Sequence, residues 1–120
     1  MTRILVVDDE PSIVMIMEEF LSEEGYEVHT AMDGDKALAM VDSEIPFDLA
    51  LVDLRIPGVS GKEIIHKIRQ TPRLEEIPII VITGFEKNSE DFPPENSYQS
   101  LFTKPFMLED ILEEIQRLSN

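Results

Sequence analysis

Three carboxylates in this chain follow directly on short apolar runs. Asp8 and Asp9 follow Ile4-Leu5-Val6-Val7, and Asp53 follows Leu49-Ala50-Leu51-Val52. A third run, Ile79-Ile80-Val81-Ile82, ends in Thr83, and a weaker one, Leu101-Phe102-Thr103, ends in Lys104. Clustered carboxylates repel one another unless something neutralises them, and a hard divalent cation with oxygen ligands does so. Mg2+ keeps several waters and bridges one or two carboxylates to a phosphate. Three acids match that habit better than a closed Ca2+ cage of about six to eight oxygens. With Lys104 as a point charge and Thr83 as a hydroxyl, the set suits a cation and one phosphoryl group.

These residues meet only if the apolar runs are strands of one parallel sheet. Short apolar runs between turn signals read as buried parallel strands, and open sheets of this kind bind ligands outside the carboxyl ends of their strands. The spacing predicts strands over 3–7, 26–30, 47–52 and 100–103, with a further one after Pro78. The first helix is expected to start near Pro11, with Asp9 as its N-cap, and to stop at Gly25. Ile13, Ile16, Met17, Phe20 and Leu21 would form its inner face. Asp33 should open a second helix with Ala37, Leu38, Met40 and Val41, broken before Pro46. Gly61 should open a third with Ile64, Ile65 and Ile68, and Leu108, Ile111, Leu112, Ile115 and Leu118 mark the last. Residues 84–98, with Glu86-Lys87-Asn88-Ser89-Glu90-Asp91 and then Pro93-Pro94, are too polar and proline-broken for a regular fourth helix. A short helical turn over 86–91 is expected there. Strands alternating with helices imply right-handed crossovers and a doubly wound α/β fold of five parallel strands, covered on both faces.

The length of 120 residues suits one domain, 1–120. Twenty-five acids against 10 bases give a formal charge of -15, so this domain should repel nucleic acid. Most of the acids fall on helix surfaces (Glu18, Glu19, Glu23, Glu24, Glu113, Glu114) and serve solubility. No apolar stretch approaches a membrane span, and no signal-peptide pattern is present. The absence of cysteine excludes disulfides and fits a reducing, cytoplasmic setting.

The segment Ile4 to Glu10, the segment Asp53-Leu54-Arg55-Ile56-Pro57-Gly58-Val59-Ser60-Gly61, and the pairs Thr83-Gly84 and Lys104-Pro105 together resemble the receiver domain of two-component response regulators. The resemblance covers essentially the whole chain. It implies a flavodoxin-like strand order of 2-1-3-4-5 and a switch rather than a turnover enzyme. Asp53 would accept a phosphoryl group from a sensor histidine kinase or a histidine phosphotransfer domain. Asp8, Asp9, Asp53 and the backbone carbonyl of Arg55 would hold Mg2+, with Mn2+ as a substitute. Lys104 and Thr83 would bind phosphoryl oxygens, and a cis bond before Pro105 is expected.

Two departures accompany the resemblance. The family's switch position, three residues before the lysine, is usually Tyr or Phe; here it is Leu101, while Phe102 points to the other face of its strand. The coupling of Thr83 to an aromatic is therefore altered. The irregular fourth helix also makes the family's usual dimer surface atypical. Arg55 lies two residues after Asp53, where its guanidinium could shield the phosphoryl group or pair with an acid. Val14 and Met15 are surplus apolar residues on the first helix and are expected to form a kinase-docking face. His29 and His66 lie away from the site pattern.

Three alternatives compete. A Mg2+-dependent phosphatase with an aspartyl nucleophile would need a general acid two residues on, where Asp53 has Arg55 and Asp8 has only Glu10. A flavin-phosphate module needs a Ser/Thr/Gly-rich loop, which Asp8-Asp9-Glu10 replaces with repulsion. The third is a receiver-like scaffold that is never phosphorylated.

Overall fold

A computed structural model of the protein describes residues 2–84 and 92–119. The chain runs β1 (Arg3–Val7), α1 (Pro11–Glu23), β2 (Glu27–Ala31), α2 (Gly34–Asp42), β3 (Leu49–Asp53), α3 (Gly61–Gln70), β4 (Ile79–Thr83), β5 (Ser100–Thr103) and α4 (Leu108–Leu118). All strand pairs are parallel and the sheet order is β2-β1-β3-β4-β5. The strands match the expected runs, shifted by one or two residues at β2 and β3.

Strand alternation divides the apolar residues into two cores. Leu5, Val7, Ala50, Val52, Ile79 and Val81 face α2 and α3 and pack with Ala37, Val41, Ile64, Ile65 and Ile68. Ile4, Val6, Leu49, Leu51, Ile80 and Ile82 face the other way and pack with Met17 and Leu21 of α1 and Ile111 and Ile115 of α4. A strand covered on both faces must be apolar at every position, which is why β3 and β4 read as unbroken apolar runs. Among the described residues, no helix is long and apolar enough to cross a membrane.

The helix boundaries follow local chemistry. Pro11 occupies the first turn of α1, as expected, but its N-cap is Glu10 and not Asp9, and no side chain caps it. At the other end Gly25 has φ +94. There the Gly25 N–H donates to Ser22 O at 3.1 Å and the Tyr26 N–H to Leu21 O at 3.2 Å, closing the helix as a Schellman motif. Asp33 caps α2 by accepting from the Lys36 N–H, and Ser60 caps α3 by accepting from the Glu63 N–H.

One face of α1 differs from the expected pattern. Val14 is buried, at 7% exposure, whereas Met15 is 61% and Ile16 49% exposed. At about 100° per residue, Val14 falls at the edge of the stripe that Ile13, Met17, Phe20 and Leu21 define, next to Leu21, while Ile16 falls further out on the other flank and Met15 opposite. Val14 therefore belongs to the core and not to a docking face, and Ile16 takes its place on the surface.

The expected helical turn over 86–91 lies outside the described residues. Among the described residues, the crossover from β4 to β5 has one 3-10 turn, Glu95–Ser97. Arg69, at the end of α3, ties this turn down. Its Nε donates to Ser97 O at 3.0 Å, its Nη1 to Glu75 O and Ile77 O at 2.9 and 2.8 Å, and its Nη2 to Gln99 Oε1 at 3.1 Å. Phe92 and Tyr98 pack edge to face beneath it, ring centres 5.9 Å apart.

Two close approaches require glycine. A Cβ on Gly34 would lie 1.6 Å from the carbonyl oxygen of Val59, and one on Gly61 would lie 2.3 Å from that of Asp53. Gly34→Ala should therefore cost about 1–3 kcal/mol through overpacking against backbone, seen as a drop of several degrees in Tm. At α4, hydrogen bonds from Arg117 and then Ser100 hold the Glu114 carboxyl below its ordinary value of 4.5, at about 2. Stability from this group is present above 4.5 and is lost as pH falls to about 2. Glu114→Gln should lower stability at neutral pH by up to about 1 kcal/mol, since Arg117 is exposed, and thermal melts of the two proteins should converge near pH 2.

Candidate functional site

Parallel strands place their carboxyl ends along one edge, and the chemistry collects there. Asp8 follows β1, Asp53 ends β3, Thr83 ends β4 and Lys104 follows β5. Register holds them level: Val7 pairs with Val52, Asp53 with Ile82, and Thr83 with Thr103. The Lys104 N–H donates to Thr83 O at 3.1 Å, extending the β4–β5 ladder up to the lysine. The Lys104–Pro105 peptide bond is cis, as expected.

Lys104 joins the set. Its Nζ lies 2.9 Å from Asp53 Oδ2, 3.1 Å from Asp8 Oδ2 and 2.8 Å from Glu10 Oε1. The other oxygens are held by backbone: the Glu10 N–H donates to Asp8 Oδ1 at 3.0 Å, and the Arg55 N–H to Asp53 Oδ1 at 3.1 Å. Asp8, Asp53 and Thr83 are buried, while Asp9, Glu10 and the Arg55 side chain face solvent.

Burial and the Asp8 charge push the Asp53 carboxyl above its ordinary value, against the pull of the Lys104 hydrogen bond and the Arg55 N–H. For Lys104, burial works against the charge, but hydrogen bonds to Glu10, Asp53 and Asp8 outweigh it and hold the pKa above that of a free lysine. The lysine is a fixed cation at any physiological pH.

Carboxylate oxygens of Asp8, Asp9 and Glu10 all lie within 4.8 Å of one another. This donor set is oxygen only and anionic, which fits a hard divalent cation such as Mg2+. Asp53 stands outside that group, its two oxygens engaged by Lys104 and Arg55. Glu10 was not among the expected site residues, although its place directly after Asp8-Asp9 was the available signal. An apolar groove of about 530 Å3 lies beside Lys104, between the start of α1 and the loop into α4, lined by Ile13, Ile16, Met17, Pro105, Phe106 and Leu108. It joins residues far apart in sequence and had no signature there.

Leu101 packs into the α2/α3-side core with Tyr98, and Phe102 into the opposite one, so the two do point to opposite faces. His29 bonds Glu27 Oε2 at 2.8 Å and packs edge to face on Phe47, and His66 is exposed on α3. Neither approaches the carboxylates.

Comparison with known proteins agrees with this geometry. The family model of the response regulator receiver domain matches residues 4–116. The response regulator PleD of Caulobacter vibrioides is 37% identical over 111 residues, covering 92% of this chain but only 24% of PleD. The chain thus spans about a quarter of that relative's length. The chemotaxis protein CheY4 of Vibrio cholerae superimposes with a TM-score of 0.87 at 30% identity, over 98% of both chains. The response regulator TrrA of Thermotoga maritima, solved in complex with Mg2+–BeF, gives a TM-score of 0.82 at 35% identity, over 98% of this chain and 99% of TrrA. TrrA has also been solved in complex with the histidine kinase ThkA. From its matched span, its strand order and its relatives, this chain belongs to the response regulator receiver domain family of two-component signalling.

Proposed function

We propose that this domain, residues 1–120, is a phosphorylation switch in which Asp53 accepts a phosphoryl group from a phosphohistidine on a sensor histidine kinase or a phosphotransfer protein. One observation supports this above the rest. Lys104 Nζ lies 2.9 Å from a buried Asp53 carboxylate, 51 residues away in sequence, at the level of Thr83. A nucleophile, a cation for the developing charge and a hydroxyl are thus preassembled at one sheet edge.

In the transfer, Asp53 Oδ attacks phosphorus, the donor's N–P bond breaks, and the imidazole leaves with the electron pair and takes up a proton. Lys104 holds the acceptor carboxylate in place and stays charged throughout. Thr83 and Lys104 bind the phosphoryl oxygens. Asp8, Asp9, Asp53 and the Arg55 carbonyl are the ligands we assign to Mg2+, with Mn2+ as a substitute and Glu10 close by. The chemistry such an ion supplies is neutralisation of charge on the phosphoryl oxygens. TrrA, solved with Mg2+–BeF, supports that assignment.

The kinase docks on the apolar groove beside Lys104 and on exposed Met15 and Ile16, a surface that Phe106 extends. The TrrA–ThkA complex supports a kinase as partner. The reading places the domain in the cytoplasm, acting on its own aspartate rather than turning over a diffusible substrate, and not binding nucleic acid directly.

Acetyl phosphate with Mg2+ should add one phosphoryl group by intact mass, and Asp53→Asn or removal of the metal should abolish the gain. Failure of the wild-type protein to gain mass from acetyl phosphate and from a phosphorylated kinase would leave the scaffold reading in its place. Lys104→Ala should slow labelling by about 10²-fold or more, the scale of losing one preorganised donor to a developing charge. With a histidine kinase that labels the wild-type protein, Met15→Glu should lower the ratio of kinase-dependent to acetyl-phosphate-dependent labelling about tenfold.

A further inference from the structure

Lys104 has three N–H donors, and three different carboxylates occupy them: Asp53 at 2.9 Å, Asp8 at 3.1 Å and Glu10 at 2.8 Å. The ammonium has no donor left over for a phosphoryl oxygen. Esterification neutralises the Asp53 carboxylate and frees the donor that faced it, while Asp8 and Glu10 still draw the ammonium away from the new phosphoryl group. Asp8 and Asp53 have side chains only 4% and 5% exposed, and each is pinned by a backbone N–H. Glu10 differs on both counts. Its side chain is 53% exposed, and water replaces the lysine as its partner at little cost.

From this geometry we propose that Glu10 is a positioning residue that parks Lys104 in the resting domain and competes with the phosphoryl group for it. The inference rests on the reading of Asp53 as phosphoryl acceptor and deepens it. Glu10 sets how readily the lysine transfers to the new anion, and so how strongly the site holds a phosphoryl group. Its exposure also leaves it open to a docking partner, since Glu10 and Lys104 both line the apolar groove next to α1.

Two variants separate competition for the lysine from plain charge repulsion. Glu10→Gln removes the charge. Glu10→Asp keeps the charge but is one methylene too short for the 2.8 Å contact with Lys104 Nζ. As the N-cap residue of α1, an aspartate there would turn instead to the helix N–H groups. The probe is beryllofluoride, a phosphoryl mimic, titrated at Mg2+ concentrations shown by calorimetry to saturate each protein. Half-occupancy should require about two- to fivefold less beryllofluoride in both variants, the range expected for releasing a part-exposed ion pair. Unchanged or weaker binding in both variants overturns the proposal, as does improvement in only one of them. A wild-type protein that binds no beryllofluoride and gains no phosphoryl mass overturns both this inference and the function it rests on.

Discussion

A single ammonium set among carboxylates from the far parts of the chain organises this edge of the molecule. Asp8 and Asp53 are almost wholly buried, and two like charges so placed repel each other and lose water. Lys104 offsets that cost by bonding both, along with Glu10. Removing one partner from such a buried cluster is expensive because the remaining charges stay desolvated. The cluster therefore works only if β1, β3 and the end of β5 stop at one level, which the parallel register ensures. Two opposing effects meet in one contact: burial raises the Asp53 pKa, while the hydrogen bond from the Lys104 cation lowers it.

The rest of the fold serves that level. Two apolar cores, one on each face, clamp the strands so that their ends neither slide nor splay. Gly61 lets α3 approach the carbonyl of Asp53 closely, so the helix that follows packs directly against the backbone that holds this carboxylate. The 3-10 turn before β5 is held by other means. Arg69 spends its guanidinium on three carbonyls and one side-chain oxygen around the 3-10 turn, and Phe92 with Tyr98 fills the space below. Leu101 packs against that same cluster.

Much of this was legible in the chain as written. Buried parallel strands must be apolar at every residue, so β1, β3 and β4 announced themselves, and with them the positions of Asp8, Asp53 and Thr83. Pro11, Gly25, Asp33 and Gly61 marked helix ends because their backbone chemistry suits few other places. Misreadings arose where phase mattered more than type. Val14, Met15 and Ile16 are all apolar, and only the rotation of α1 against the sheet chose which of them to bury. Likewise α1 starts at Pro11 as expected, but its N-cap residue is Glu10 rather than Asp9.

Order along the chain thus established which elements exist and which residues end them, since local propensity and apolar runs are properties of neighbours in sequence. Partnership was a different matter. That Lys104 bonds Asp8, Glu10 and Asp53 together, that Arg69 reaches Ser97 and Gln99, and that α1 and the loop into α4 leave an apolar groove between them are consequences of segments meeting in space. Ion-pair strength falls with distance and rises with burial, and neither is set until the sheet has closed. The residues able to do the chemistry were visible in the linear chain, whereas the hydrogen-bond donors of the lysine were apportioned by the packed sheet edge.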